Sequence, residues 1–403
     1  MNAAPQKRSW PGWAALFFWL LIFLVITGDS VRRLYKHDTT PAYLNAVEKW
    51  WRGQDPYSHD SHTGFFYFPQ AAVLFTPFTW GPPALGEILW RTVVFGLYAY
   101  ALMRLARFFL CDGKMPSSAT YLALSLLAVP SSMASLRNAQ FDLPVATLSL
   151  LAAAEIATDR WKAAAAWLCL ALALKPLAAV PILLFCALYG KLIPRVALGL
   201  VVVAALPFLH WNPSFVAREY ARCLEALRWA SQGDEPRYSD LAALISHAGL
   251  YPSYAMKTAA RIVFALAYLG LGFAAVRRLD RAGAAWTIGA LSADYLMLFN
   301  PRTETCSYVF LGPFVASLAI LYSRQPARIW LGRVLAVAAV LLACDAFPKI
   351  NDTLDFHVLT DRWLKPLIAL LFLPVLIEFI FGRKKPVDHA AADSAMPAST
   401  VAV

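Results

Sequence analysis

Four short polar stretches, each beside an apolar segment, contain the residues of this chain that could carry out chemistry. They are Asp38 with its neighbours, Arg137-Asn138-Ala139-Gln140-Phe141-Asp142, Lys175-Pro176, and Asn300-Pro301-Arg302-Thr303-Glu304 with Tyr308 one turn further on. Ionisable groups at a membrane boundary are costly unless they are paired or hydrated, and they commonly mark a site. A carboxylate beside a membrane with cations nearby suits transfer of a group from an anionic lipid carrier. In that chemistry Asp38 deprotonates an acceptor hydroxyl, and Lys175 or Arg302 holds the departing phosphate.

Each stretch also has a purely structural interpretation. Residues 38–40 could cap a helix, and residues 138–142 could form a polar turn with a cap. Lys175 could extend to the membrane interface, while Arg302 and Glu304 could simply pair with each other. Their shared location favours the catalytic interpretation, because all four stretches are predicted to face the same compartment.

The composition indicates a protein with several membrane spans. The chain has 403 residues, of which 59% are hydrophobic and 15% charged, and a soluble domain of this length rarely reaches such apolarity. The formal net charge of +11 points to membrane lipids rather than nucleic acid as partners, because basic residues in short loops set orientation and contact anionic lipids. The six cysteines are scattered, so we expect neither a disulfide framework nor a metal site.

The apolar segments predict an all-α polytopic membrane protein with a bundle of about 11–12 spans. They lie near residues 13–26, 82–108, 120–133, 143–157, 161–174, 177–189, 193–208, 259–276, 284–299, 308–322, 329–343 and 364–381. With twelve spans the basic short loops share one side with Lys7 and Arg8, which the positive-inside rule makes cytoplasmic. A first loop of residues 29–80 and a second of residues 211–255 then face outwards from the plasma (inner) membrane. Residues 1–382 form one membrane domain, and residues 383–403 are predicted to be a disordered cytoplasmic tail.

The first outer loop is predicted to carry a surface helix. Ala42, Val47, Trp50 and Trp51 recur at helical spacing, which is typical of an amphipathic helix lying along a membrane. Residues 53–56 then break the helix. The apolar stretch that follows is predicted to re-enter the membrane without forming a full span.

The order of these motifs resembles glycosyltransferase family 87, a GT-C group of polytopic enzymes that includes polyprenyl-phosphate-mannose-dependent mannosyltransferases. The matching elements are Asp38 followed by Tyr43, residues 53–57, Tyr67-Phe68-Pro69, Pro77, Asn138 to Asp142, Lys175-Pro176 and Asn300-Pro301, within residues 13–326. The resemblance implies inverting transfer of mannose or another hexose or pentose from a polyprenyl phosphate to a glycolipid or glycan acceptor. It also implies that no cofactor is needed and that Asp38 is the base. The expected phosphate and substrate site then consists of Tyr43, Tyr67, Asn138, Gln140, Asp142, Lys175, Arg302, Glu304 and Tyr308.

Two departures from the family pattern leave the base and the donor sugar open. Asp38 stands five residues before Tyr43, whereas the family aspartate usually stands one residue closer, and residues 302–308 contain no counterpart of the histidine often found there. Asp55 and Asp60 are competing carboxylates in the same loop. The alternative class is a transporter or flippase for a lipid-linked or small polar solute. Transporters favour polar residues at mid-membrane and often an inverted repeat, whereas the polar residues here cluster at one face.

Overall fold

The computed structural model describes residues 10–34, 39–57, 64–232, 238–344 and 363–382. Asp38 and Asp60 lie outside the described residues, as do residues 345–362 and the predicted tail, residues 383–403. In the described part of the chain every regular element is helical. The prediction of an all-α protein is therefore confirmed.

The α-helices are numbered here in chain order. Those of the first half are α1 (Trp10–Arg32), α2 (Thr40–Trp51), α3 (Pro69–Phe75), α4 (Pro83–Leu105), α5 (Ser118–Ala128), α6 (Met133–Arg137), α7 (Asp142–Ala157), α8 (Trp161–Leu174) and α9 (Ala179–Leu188). Those of the second half are α10 (Ile193–Ala205), α11 (Pro213–Gln232), α12 (Leu241–His247), α13 (Tyr254–Arg278), α14 (Arg281–Phe299), α15 (Gly312–Ser323), α16 (Ile329–Leu341) and α17 (Lys365–Phe381).

All twelve segments predicted as spans contain a helix, and seven helical stretches are by themselves long and apolar enough to cross a membrane. These seven are Gly12–Arg32, Pro83–Leu110, Ser118–Arg137, Gly190–Leu209, Tyr254–Arg278, Arg281–Phe299 and Thr305–Ser323. Two shorter apolar helices, Trp161–Leu174 and Pro176–Leu188, flank Lys175. The first outer loop begins later than predicted, because α1 continues to Arg32 instead of ending before residue 29.

The distribution of exposed apolar side chains shows which helices lie at the rim of the bundle. In the most apolar segment of α14, and in that of the stretch ending in α15, 89% of the residues are buried. In the corresponding segment of α13 only 17% are buried. Large apolar residues such as Leu198 of α10 and Leu266 of α13 are exposed. Such faces are unfavourable in water but not in hydrocarbon. We therefore place α10 and α13 against lipid and α14 and α15 at the centre.

Polar side chains gather at the two ends of the bundle. This agrees with the prediction that successive spans run in opposite directions and leave their connections on two opposite sides. At one end of α7, Glu155 pairs with Arg104 at 2.8 Å, and at the other end Asp142 pairs with Lys175 at 2.7 Å. At a rise of about 1.5 Å per residue, these two ends lie roughly 20 Å apart. The Asp142 end holds the connections predicted to face outwards, and it is called the outer end below.

Helix α2 of the first loop is present, but its environment differs from the prediction of a membrane-surface helix. Its apolar face is buried in the protein: Trp50 is fully buried, and its ring lies 5.1 Å from that of Phe215. An amphipathic pattern shows that one face is apolar, but not whether lipid or protein covers it. Here α11 of the second outer loop covers it, so the two outer loops pack together.

Candidate functional site

Lys175 and Asp142 form the buried centre of a polar cluster at the outer end. Pro176 cannot continue α8, so the helix ends at Leu174 and Lys175 is extended, with φ −152° and ψ 136°. Asp142 is the first residue of α7. Lys175 Nζ donates to Asp142 Oδ2 at 2.7 Å, and Ser307 Oγ donates to Asp142 Oδ1 at 3.3 Å.

This ion pair keeps Lys175 charged although its surroundings are largely buried. The carboxylate side chain of Asp142 is 0% exposed, whereas that of Lys175 is 19% exposed. Burial by itself would lower the pKa of Lys175, but the carboxylates of Asp142 and Glu304 outweigh it and raise this pKa above its usual value. Lys175 is therefore cationic at any physiological pH. The alternative that it only extends to the membrane interface is wrong.

Gln140 links the connection before α7 to the connection before α15. Ala139, just before it, has φ 53°, a left-handed conformation that is costly for a residue with a Cβ and turns the chain sharply here. Gln140 Nε2 donates to Glu304 Oε2 at 3.1 Å, and Cys306 Sγ contacts both Gln140 Oε1 and Glu304 Oε2. Glu304 is exposed to solvent, whereas Cys306 is buried.

The ligand atoms of Asp142, Glu304 and Cys306 lie within 4.8 Å of one another, close enough to hold a metal ion. However, both carboxylates already have protein partners. The ammonium of Lys175 on Asp142 supplies the positive charge that a metal ion would supply. We therefore interpret this group as a hydrogen-bonded cluster centred on Lys175.

Tyr43 and Tyr67 of the first loop form one wall beside this cluster. The ring of Tyr43 stacks on Phe141 at 4.1 Å, and its hydroxyl oxygen lies 3.4 Å from that of Tyr67. Lys175 Nζ lies 5.9 Å from the centre of the Tyr67 ring, within range of a cation–π contact. Burial raises the pKa of Tyr43 and the pKa of Tyr67, so both hydroxyls stay protonated.

Thr39 attaches the start of α2 to the same cluster. Its backbone N–H and its Oγ1 both donate to the carbonyl oxygen of Asn138, at 3.0 and 2.8 Å. Thr39 is the N-cap residue of α2, but its side chain makes no capping bond. Asp142 does not cap α7 either, because Phe141 occupies the N-cap position. Thr39 and Asp142 therefore make no side-chain N-cap, although Asn138 is the C-cap residue of α6.

Arg302 lies at the edge of the cluster, between aromatic residues of the two outer loops. Its Nε donates to the hydroxyl of Tyr238 at 2.6 Å. Its guanidinium lies 4.7 Å from the centre of the Phe66 ring and 5.6 Å from that of Tyr238. Since Glu304 bonds to Gln140 instead, the predicted alternative of an Arg302–Glu304 pair does not occur.

Tyr308 lies beneath the connection that carries Arg302 and links this connection to the second outer loop. Its hydroxyl donates to the carbonyl oxygen of Ser239 at 2.8 Å, and the N–H of Ser239 donates to the carbonyl oxygen of Thr303 at 2.7 Å. Tyr308 is fully buried. This buried position fits a residue that supports the second outer loop, and not one that contacts substrate.

Lys365, at the start of α17, is the main member of the site that sequence reasoning missed. Its side chain is fully buried, and Nζ donates to the carbonyl oxygen of Thr305 at 2.8 Å. Nζ also lies 5.7 Å from the centre of the Tyr308 ring. One sequence signal was available, because Lys365-Pro366 repeats the Lys-Pro pair at residues 175–176.

Replacing Lys365 by methionine should lower kcat/KM for the transfer reaction that the family resemblance implies by about tenfold. The carbonyl oxygen of Thr305, a half-buried residue, loses its donor, which costs about 1–3 kcal/mol and frees the loop that carries Arg302. Steady-state transfer assays and thermal unfolding would measure the change. Since Lys365 acts through this loop, KM for the donor should rise more than kcat falls. The Lys365→Arg variant keeps a long donor and should restore KM, whereas equal losses in both variants, with unchanged KM, would contradict this role.

The structure thus brings the predicted residues of three outer connections into one region with two tyrosines of the first loop. The connections are residues 137–142, Lys175-Pro176 and residues 300–308, and the tyrosines are Tyr43 and Tyr67. The roles assigned to them stay predictions. Residues that join them without having been predicted are Phe66, Phe141, Tyr238, Cys306, Ser307 and Lys365. Near the outer end, Glu87 and Arg91 form a buried ion pair one turn apart on α4, and Arg91 also donates to the carbonyl oxygen of Arg137 at 3.1 Å.

The chain is similar in structure to ArnT from Cupriavidus metallidurans in the apo state, with a TM-score of 0.47, 16% identity, and coverage of 92% of this chain and 76% of that one. The same protein bound to undecaprenyl phosphate gives a TM-score of 0.43 at the same identity and coverage. No curated protein sequence matches the chain. The sequence model of glycosyltransferase family 87 matches residues 65–301, more than half of the chain, and the protein therefore belongs to glycosyltransferase family 87.

Proposed function

We propose that this protein transfers a sugar, mannose or another hexose or pentose, from a polyprenyl phosphate to a lipid-linked or cell-envelope glycan acceptor. Transfer takes place at the outer face of the plasma membrane. The observation that carries the proposal is the polar cluster in which Lys175 pairs with Asp142 and Gln140 bonds to Glu304, next to Thr39, the residue after Asp38. Arg302 stands two residues before Glu304 in the same connection. Family membership supports the reaction class.

The proposed reaction is a displacement at the anomeric carbon of the donor sugar. The acceptor oxygen bonds to this carbon while the bond from the carbon to the phosphate oxygen breaks, and the electron pair leaves with the phosphate. The acceptor proton passes to Asp38. Attack from the side opposite the phosphate inverts the configuration. The lipid donor already carries the sugar in activated form, so no nucleotide takes part.

Arg302 is the residue best suited to bind the phosphate of the donor. A guanidinium is always charged and offers donors in a planar fork that matches two phosphate oxygens. The Nε bond to Tyr238 and the Phe66 ring fix the plane of this fork. Its Nη groups can then bind the phosphate without a further loss of side-chain freedom.

Lys175 contributes a second positive charge, within electrostatic reach of Glu304. Its bond to Asp142 positions the ammonium, and its raised pKa keeps it charged. Charge that develops on the departing phosphate is stabilised best by groups that are already in place. Asp142 and Glu304 therefore act on Lys175 rather than directly on the substrate.

The function is tested by incubating the purified protein, in lipid nanodiscs, with labelled polyprenyl-phosphate sugars and a panel of glycolipid acceptors. Formation of a labelled glycolipid and release of polyprenyl phosphate, with both products absent for Arg302→Ala, would support the proposal. If the protein instead moves labelled lipid or solute across vesicle membranes without a chemical change, the transporter alternative replaces it.

The outer face is tested by labelling cysteine variants in intact cells with an impermeant maleimide. Ser214 of α11 and Lys114 after α4 are both exposed, and they lie on predicted opposite sides. Ser214→Cys should be labelled in intact cells, and Lys114→Cys only after permeabilisation, each compared with the parent protein. The reverse pattern would put the site on the cytoplasmic face.

A further inference from the structure

A cluster of aromatic and basic side chains lies at the inner end of the bundle, the end of α7 that carries Glu155. Trp161 begins α8 and Tyr189 directly follows α9, and the centres of their rings lie 5.5 Å apart. Lys191 Nζ lies 5.7 Å from the centre of the Trp161 ring, and the guanidinium of Arg281 lies 6.0 Å from it. Both distances are within range of a cation–π contact, so two cations share one indole ring. These four residues are called the inner cluster below.

Two buried polar atoms of the inner cluster have no hydrogen-bond partner in the described part of the chain. They are the indole nitrogen of Trp161 and the hydroxyl oxygen of Tyr189. Burial raises the pKa of Tyr189 to about 12, so this hydroxyl keeps its proton and can donate it. Buried polar groups in proteins are nearly always paired, because an unpaired one costs free energy. The two donors therefore indicate a place for a hydrogen-bond acceptor that is not part of the protein.

The charges of the inner cluster indicate that this acceptor is an anion. Lys191 is exposed, and an ammonium or an indole N–H can only donate hydrogen bonds. Arg281 pairs with Asp159 at 2.9 Å, but both side chains are about half exposed, and water weakens such a pair. A water molecule could pair with the hydroxyl but would not offset the positive charge. A phosphate offers both negative charge and several acceptor oxygens.

The position of the inner cluster favours the phosphate of a membrane lipid. Ile193, two residues after Lys191, is 55% exposed, and Leu183 of α9 is 69% exposed. Such apolar side chains are stable against hydrocarbon, so lipid surrounds this corner of the bundle. Basic pockets between membrane helices on the cytoplasmic side bind the headgroups of anionic lipids. Tryptophan and tyrosine are also enriched at the level of the headgroups.

We propose that the inner cluster binds a phosphate group between Lys191 and Arg281, with the Tyr189 hydroxyl and the Trp161 N–H as further donors. An anionic phospholipid of the surrounding membrane supplies this group, and soluble phosphate is the other source of the same chemistry. The inference goes beyond the proposed function, because it concerns the opposite end of the bundle and requires no sugar transfer.

A lipid bound here acts on the candidate site through the pair of helices α8 and α9. Lys175 lies in the turn that joins these helices at the outer end, whereas Trp161 and Tyr189 lie at their other ends. A phosphate that holds those two ends together, and connects them to α14 through Arg281, restricts the motion of the pair. The lipid therefore stabilises the fold that positions Lys175 and takes no part in the reaction.

Thermal unfolding of the purified protein in lipid nanodiscs tests this site. Tm of the parent should rise as phosphatidylglycerol replaces phosphatidylcholine, because a ligand that binds only the folded state stabilises it. Lys191→Ala should need an about tenfold higher fraction of phosphatidylglycerol for the same rise, since it lacks one bond to a charged group. Lys162→Ala is the matched control, because Lys162 is exposed at the same end of α8, and it should behave as the parent. An equal response of all three proteins would overturn the proposal.

The Tyr189→Phe variant separates lipid binding from support of the fold. It keeps the ring and removes only a hydroxyl that has no partner within the described residues. In phosphatidylcholine its Tm should therefore equal or exceed that of the parent, because an unsatisfied buried group has been removed. In phosphatidylglycerol the same variant should show a smaller rise in Tm than the parent. A Tm that falls equally in both lipids would assign the hydroxyl to the fold and contradict its role as a donor to lipid.

A final measurement identifies the source of the phosphate. Native mass spectrometry of the parent, released from nanodiscs of mixed lipids, should show a retained phosphatidylglycerol that the double variant Lys191→Ala/Arg281→Ala loses. In uncharged detergent, inorganic phosphate is added instead. A rise in Tm with inorganic phosphate alone, absent in Lys191→Ala, would support the site with a soluble ligand. No response of the parent to either phosphate compound would overturn it.

Discussion

Replacing Asp38 by asparagine should lower the rate of sugar transfer by about 10²–10⁴-fold, the usual contribution of a general base. An amide has nearly the same size as a carboxylate but cannot accept the proton of the acceptor hydroxyl. The variant should therefore reach the membrane in normal amounts and still bind the donor. Transfer rates at equal amounts of folded protein, together with donor binding measured separately, would check this result.

Asp38 is preferred over Asp55 because the carboxylate of Asp55 is already engaged in structural contacts, whereas the residue after Asp38 lies at the polar cluster. Asp55 Oδ1 accepts the N–H of Tyr57 at 2.8 Å, which holds the turn after α2, and Oδ2 pairs with Arg222 at 3.2 Å. Oδ1 thus holds a turn within the first outer loop, and Oδ2 joins the two outer loops. Thr39, in contrast, is bonded to Asn138 of the polar cluster.

Asp55→Asn and Asp60→Asn are the controls for this prediction. Asp55→Asn should act mainly by lowering the thermal stability of the protein, because it weakens the pair with Arg222, and Asp60→Asn should have little effect. Normal turnover of Asp38→Asn together with an inactive Asp55 or Asp60 variant would assign the base to the other carboxylate. Normal turnover of all three would remove the loop from catalysis and favour a transporter.

Replacing Arg302 by alanine should weaken use of the donor by about 2–5 kcal/mol, as expected for a buried contact to a charged group. The loss should appear in kcat/KM, because the guanidinium binds a phosphate whose negative charge increases in the transition state. Arg302→Lys keeps the charge but not the planar fork, and should recover only part of the activity. Arg52→Ala is a suitable control, since Arg52 is an exposed arginine of the same outer surface. Arg302→Ala with the activity of the parent would show that Arg302 only anchors the two loops.

Lys175 requires a double variant, because it also neutralises Asp142. Lys175→Ala alone leaves a buried carboxylate unpaired, which costs about 3–5 kcal/mol of stability in comparable pairs. Adding Asp142→Asn removes that charge and should restore the amount of folded protein. We expect transfer to stay low in the double variant, because the ammonium beside the phosphate is still missing. Recovery of transfer together with folding would give Lys175 a purely structural role.

The sequence by itself determined the class of the protein and the location of its polar connections. The twelve apolar segments are local patterns, and hydrophobic burial in lipid depends mainly on such local composition. The segment around Lys175 shows this well, because Pro176 ends one helix and starts the next without any tertiary contact. The alternation of basic loops was enough to place residues 137–142, Lys175 and residues 300–304 at one end.

The pairing of those residues was decided only by the tertiary structure. Lys175 with Asp142, Arg302 with Tyr238, and Lys365 with the carbonyl of Thr305 are contacts between distant parts of the chain. Their partners depend on how the helices pack, which no local pattern specifies. The same holds for α2: its apolar stripe is visible in the sequence, but only packing against α11 shows that Trp50 contacts protein rather than lipid. A buried charge needs a partner wherever it lies, and the fold determines which partner it finds.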